Sequence, residues 1–254
     1  LLSLVPVFVM LPAWIVYRDR PSHLSVVGVL VALGVDSWAN DRADRVLERE
    51  YLQRLLDDAR YDLRELAFLD SIGRIGLDAS VALASPEQAA DLTPAILVAT
   101  VAAAAAERQP DLSRSTYREL LSSGRIDLIQ SVDVRVALAA YDRFILETEG
   151  VWVNLSPDLR IWAFSRIPTA VWESLVGACS RDGSDPLYNV RGVCEFDLGA
   201  WSARDLRGEV LSTDAQRRFV LAGHRFRTGL EVTERLRGLA TELVETLERS
   251  LSNA

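Results

Sequence analysis

The sequence predicts an all-α protein with an apolar amino-terminal membrane anchor, then a long amphipathic helix, then a helical bundle. Three observations carry that prediction. In the charged part, apolar residues recur at three- and four-residue steps, with Leu52, Leu55, Ala59, Leu63 and Leu66 the clearest run. Strand-type alternation of apolar and polar residues is nowhere sustained. The first 38 residues hold two apolar segments, the first without a charge and the second uncharged up to Asp36, whereas the body behind them is rich in Arg, Asp and Glu. The expected division is therefore an anchor over 1–38 and a helical domain over 39–254.

The first apolar segment, "LLSLVPVFVMLPAWIVY", ends in Trp14 and Tyr17, side chains suited to a membrane interface. The second, Ser22 to Trp38, would measure about 25 Å as a helix, against a hydrocarbon core of roughly 30 Å. Arg18 to His23 is a short connection that suits a helical hairpin. Pro6 and Pro12 interrupt the first segment, so a signal peptide is its competing reading. Two buried helices of a soluble body are the competing reading for both. Gly28 and Ala32, four residues apart, would let a neighbouring helix approach closely. The chain opens on Leu1 and not Met, as expected of a chain with residues upstream.

Behind the anchor, Ala39 to Ala84 reads as one long helix, with a bend expected near Gly73 and Gly76. The run "PAILVATVAAAAA" is too short and too rich in alanine for a span, and reads as a core helix. Thr116 and Glu119 have the spacing of a capping box, and Gly124 suits the left-handed residue that ends a short helix. Leu120, Ile126, Leu128 and Ile129 are expected inside the bundle. Ser131 caps the next helix, whose buried face is Val134, Leu138, Tyr141, Ile145 and Thr148. Pro157 opens a further helix that Pro168 ends. After a loop over about 180–199, Thr213 and Gln216 open the last helix, with Leu230, Leu236, Ala240, Leu243, Leu247 and Leu251 along one side.

The order "VVGVLVALGVDSWANDR", "REYLQRLLDDARYDL" and "TYRELLSSGRIDLIQSVDVRVALAAYD" resembles a family of bacterial membrane proteins known only as a domain of unknown function. In that family an apolar helix ends in a motif like Gly-Ile-x-Ile-Ala-Leu-Gln-x-Asn-x-Trp-Asn-Glu. A long charged helix and a Thr-Tyr-x-x-Leu-x-Ser-x-Gly element follow. Gly28, Ala32, Leu33 and Trp38 match the first motif, and Thr116, Tyr117, Leu120, Ser122 and Gly124 the second. Gly34, Asp36 and Ala39 depart from it, standing where the family has Gln, Asn and Asn. The resemblance spans about Ser25 to Tyr141 and implies an architecture and a bacterial plasma membrane, but no activity.

Composition excludes more than it assigns. A net charge of -8 argues against the basic face that nucleic-acid binding needs. Of the two histidines, His23 and His224, neither has a second ligand at metal spacing, so no metal or cofactor is expected. Gly-rich phosphate loops, HExxH and GxSxG are missing from the sequence. Cys179 and Cys194 would close a loop by a disulfide in an oxidising compartment. Two unpaired thiols, or a thiol nucleophile with His224 as base, are the competing readings. Arg18 and Arg20 on one side of the second segment face Arg42, Arg45 and Arg49 on the other, so counting cations leaves orientation open. The cysteine pair favours an extracytoplasmic domain. The expected partners are a lipid bilayer and a protein partner or second copy, in an interaction or scaffold role. The alternative is a membrane-bound sensor marked by a pocket around Tyr117, Arg118 and Glu119. An enzyme comes third.

Overall fold

The computed structural model describes residues 23–106, 109–153, 157–179, 196–199 and 201–253. These residues are mostly helical, joined by short turns and loops, with no strand among them. Helix α1 spans His23–Ala84, α2 Pro86–Asp91, α3 Pro94–Ala104, α4 Ser115–Ser122 and α5 Val132–Val153. Then come α6 at Pro157–Arg166, α7 at Thr169–Cys179, α8 at Arg204–Val210 and α9 at Thr213–Asn253. Pro86, Pro94 and Pro157 each stand in a first helical turn, where the missing N–H costs nothing. Pro168 separates α6 from α7 as expected.

The frame is an antiparallel pair formed by α1 and α9. Arg60 meets Glu248 at 2.7 Å, whereas Leu83 near the other end of α1 receives the Gln216 side chain at 2.7 Å. On α9 the buried set Ala215, Phe219, Ala222, Gly229, Thr233, Leu236, Ala240, Leu243 and Leu247 falls on steps of three, four or seven residues. The facing stripe of α1 is Leu52, Leu55, Ala59, Asp62, Leu66 and Leu69, all buried. Such steps average 3.5 residues, the repeat of coiled-coil packing.

Gly73 and Gly76 continue that α1 stripe. A Cβ at Gly76 would stand 2.3 Å from Phe226 Cζ, and one at Gly73 would stand 2.9 Å from Leu230 Cδ2. The helix runs unbroken through both. The glycines, expected to weaken α1, instead let α9 come close enough to seat Phe226 and Leu230.

Two apolar cores lie along this frame. One unites Leu52–Leu69 of α1 with Leu120, Ile129, the α5 face and Leu236–Leu247 of α9. The other unites Leu83, the α3 alanines and valines, Trp162, Trp172, Leu206 and Phe219. The alanine-rich run is thus a buried core helix, as expected. Val134, Leu138, Tyr141, Ile145 and Thr148 are all buried, and Ser131 Oγ accepts the Val134 N–H at 3.3 Å. Leu120 and Ile129 are fully enclosed, whereas Ile126 and Leu128 are only half-buried on a single 3-10 turn.

Three expectations need correction. The second apolar segment is not a helix of its own: it is the start of α1, continuous with the charged helix across position 38. Its uncharged stretch ends at Asp36, and among the described residues no helix is long and apolar enough to cross a membrane. The first apolar segment lies outside the described residues. Thr116 and Glu119 form no capping box, because α4 begins at Ser115 behind Arg114, which gives no side-chain cap. At α9 the cap is Ser212, whose Oγ accepts the Ala215 N–H at 3.3 Å.

Candidate functional site

The polar interior of the protein is the seam where the segment from Asp111 to Ser131 crosses α1. Buried charges are confined, among the described residues, to three carboxylates of α1: Glu48, Asp62 and Glu65. Each accepts a backbone N–H from the crossing segment. Glu48 takes Gln130 N–H at 2.7 Å, Asp62 takes Ser113 N–H at 2.7 Å, and Glu65 takes Asp111 N–H at 3.5 Å. The segment answers with Glu119 of α4, which accepts from Tyr51 Oη at 2.7 Å and Arg54 Nη2 at 2.6 Å. Those two donors are why Glu119 leaves its own helix end uncapped, and the Arg54 guanidinium holds its carboxyl below the usual range.

Asp62 is the centre of the seam. It is 1% exposed, and its second oxygen accepts from Tyr141 Oη at 2.8 Å. Burial raises its pKa to about 6, against which the bonds from Ser113 and Tyr141 work only in part. Burial, then the Asp62 charge, pushes the Tyr141 phenol up as well, so Tyr141 stays a hydrogen-bond donor. Beside them Arg114 grips Asp142 of α5, its Nη2 2.5 Å from the carboxylate, with both side chains mostly buried. The cleft between these groups, walled also by Tyr117, has a volume of about 20 Å³, room for about one water. Both Asp62 oxygens are already occupied within the protein, so the cluster is arranged to hold chain segments together.

A larger hollow of about 270 Å³ opens next to it, between Leu112, Arg114, Arg118, Ile145, Glu149 and Leu236. The three residues expected to mark a pocket therefore separate: Tyr117 lines the narrow cleft, Arg118 the hollow, and Glu119 points to α1. Of the motif residues, Thr116 and Leu120 are buried and Tyr117 half-buried, while Ser122 is exposed and bonds its own helix at Glu119 O. Gly124 has φ 67°, as expected, with Gly124 N–H on Leu121 O and Arg125 N–H on Leu120 O. That pair of bonds is the Schellman ending of α4. Trp38 is 62% exposed on α1, its ring 5.9 Å from the Arg42 guanidinium carbon.

Cys179 is the last residue of α7, while Cys194 lies outside the described residues, as does the disulfide expected between them. His224 is exposed on α9. Among the described residues no cluster of His, Cys, Asp or Glu is placed to hold a metal ion. No protein family, curated protein or solved structure matches this chain. Glu48 and Asp62 escaped the sequence reading although both stand on the apolar stripe of α1, four residues before Leu52 and three after Ala59. A carboxylate at a core register position was the signal that could have found them.

Proposed function

We propose that this protein is a membrane-attached helical interaction module without catalytic chemistry, resident in a bacterial plasma membrane. Residues 1–38 serve as its anchor. One observation carries the reading: Val31, Val35 and Trp38 are 59%, 57% and 62% exposed on the part of α1 that precedes the bundle. An uncharged helix face of that kind, closed by a tryptophan and then Arg42, Arg45 and Arg49, suits a bilayer and its interface. The uncharged part of α1 is too short to span alone, so the anchor draws on residues before 23 as well. The resemblance of Trp38 and of the Thr116 to Gly124 element to motifs of a bacterial membrane-protein family points the same way.

The bundle then stands on the extracytoplasmic side, where it would engage a protein partner or a second copy. The pair Cys179 and Cys194, with fourteen residues between them, supports that side, since closing such a loop is worth about 3 kcal/mol where thiols oxidise. A compartment-sensitive reporter fused after Ala254 tests it: activity of a cytoplasm-only reporter overturns the orientation.

Attachment is tested by fractionation. Cells making the full chain should retain it in the membrane pellet through high salt and carbonate, whereas 39–254 should stay in the supernatant with a helical circular dichroism spectrum. Full chain recovered in the aqueous fraction overturns the proposal. The second reading, a membrane-bound sensor, is favoured by the hollow of about 270 Å³ flanked by Arg114, Arg118 and Glu149.

A further inference from the structure

The segment that crosses α1 ahead of α4 has the build of a strap. Residues 109–114 form no helix, and each of them is exposed or only half-buried. Leu112 is the one side chain among them packed against an apolar core. Polar contacts hold the segment down. Asp111 N–H reaches Glu65 at 3.5 Å, Ser113 N–H reaches Asp62 at 2.7 Å, and Arg114 Nε reaches Asp142 at 2.7 Å. Tyr61 Oη donates to the Asp111 carboxylate at 3.5 Å. A segment with so little buried apolar surface opens at low free energy.

Asp62 lies buried beneath it, in poor surroundings for a charge. Asp58, one turn earlier on α1, and Asp111 on the strap are both acidic and both disfavour a second negative charge. Glu65 follows on α1. From α4 the cleft receives Tyr117, from α9 Leu243, and from α5 Tyr141 and Asp142. The one cation that lines the cleft is Arg114, and Asp142 already holds it. Asp62 is thus an enclosed carboxylate without a counter-ion, and burial raises its pKa to about 6. Lifting the strap would return it to water. The same segment walls the hollow of about 270 Å³ with Gln109, Pro110 and Leu112, and Arg114 lines both hollow and cleft.

We infer that residues 109–114 are a pH-dependent strap, shut over Asp62 in acid and released more often as the pH rises toward neutral, which joins the hollow to the Asp62 cleft. The shut form holds the Asp62 proton up to about pH 6, the released form only to about pH 4. Closure is therefore fully supported below about pH 4 and loses that support as the pH rises through 6. Between pH 4.5 and pH 7 the released fraction should grow about twenty-fold. The strap belongs to the bundle alone and does not depend on the function proposed above.

Hydrogen exchange of the full chain reads the strap directly. The Ser113 amide is resolved by fragmentation in the mass spectrometer, and each rate is referred to that of an unstructured peptide at the same pH. Ser113 should be less protected than the Leu236 to Leu247 amides of α9 at every pH, as local opening requires. Its protection should fall about twenty-fold from pH 4.5 to pH 7. Asp62→Asn has no proton to lose and should show no such fall. Tyr141→Phe removes a bond that favours the charged form, so its fall should move to higher pH. Ser113 protection as high as that of α9, a fall that persists in Asp62→Asn, or a Tyr141→Phe profile that superimposes on the native one overturns the strap.

Discussion

At Asp62 two opposing effects are measurable in one side chain. Burial lifts its pKa to about 6 from an ordinary 3.8, because enclosure penalises the charge more than two donors favour it. The folded chain therefore binds this proton below about pH 6, the unfolded chain only below about pH 4. Between those values the folded state holds more protons, so this residue's contribution to stability falls as pH rises, by about 3 kcal/mol in all. Asp62→Asn keeps an acceptor for Ser113 N–H and offers an amide N–H to the Tyr141 oxygen. It should be at least as stable as the native chain at pH 7, and the difference should shrink on going from pH 6.5 to pH 4.5. Asp62→Ala strands both donors and should cost about 2–4 kcal/mol. Urea denaturation of the three proteins at both pH values checks this; an Asn variant as damaged as the Ala variant at pH 7 contradicts it.

That residue also shows where sequence reading stopped. The stripe Leu52, Leu55, Ala59, Leu63 and Leu66 was readable from spacing alone, but Leu63 is only half-buried and its neighbour Asp62 takes the core position. What spacing could not supply was the partner, since Ser113 and Tyr141 lie 51 and 79 residues away. Glu119 failed for the same reason: its local pattern fits a cap, but Tyr51 and Arg54 across the helix crossing offer better donors.

For helices, the glycines give the sharpest contrast. Gly238 on α9 has nothing within 4 Å of its absent Cβ, so Gly238→Ala should stabilise by about 1 kcal/mol through helix propensity. Gly76→Ala gains the same propensity but drives a methyl into Phe226, and should cost a net 1 kcal/mol or more, as overpacking does (~1–3 kcal/mol). Thermal denaturation of both variants decides, with Phe226→Ala expected to recover part of the loss in the Gly76→Ala background. Equal stability of the two alanine variants contradicts the close approach of α1 and α9. The longer elements were legible from prolines and period, whereas the short α2 and α8 and the caps of α4 and α9 were not; nor was the role of Gly73 and Gly76, because one sequence pattern serves both a weak helix and a close helix contact.

For the whole molecule, the expected bundle is present, and α1 runs without interruption from it back through the exposed Trp38, Val35 and Val31. Residues 31–46, exposed but for half-buried Leu33, run roughly 25 Å along α1 before buried Glu48. A bilayer is the proposed cover for that exposed end, and vesicle flotation of the purified full chain tests it most directly. At high salt, where surface charge attraction is screened, the native chain should rise with the vesicles. Replacing exposed Val31 and Val35 together by Asp should reduce its recovery with them several-fold without altering the helical spectrum. A native chain that stays at the bottom of the gradient, with its fold intact, contradicts membrane attachment.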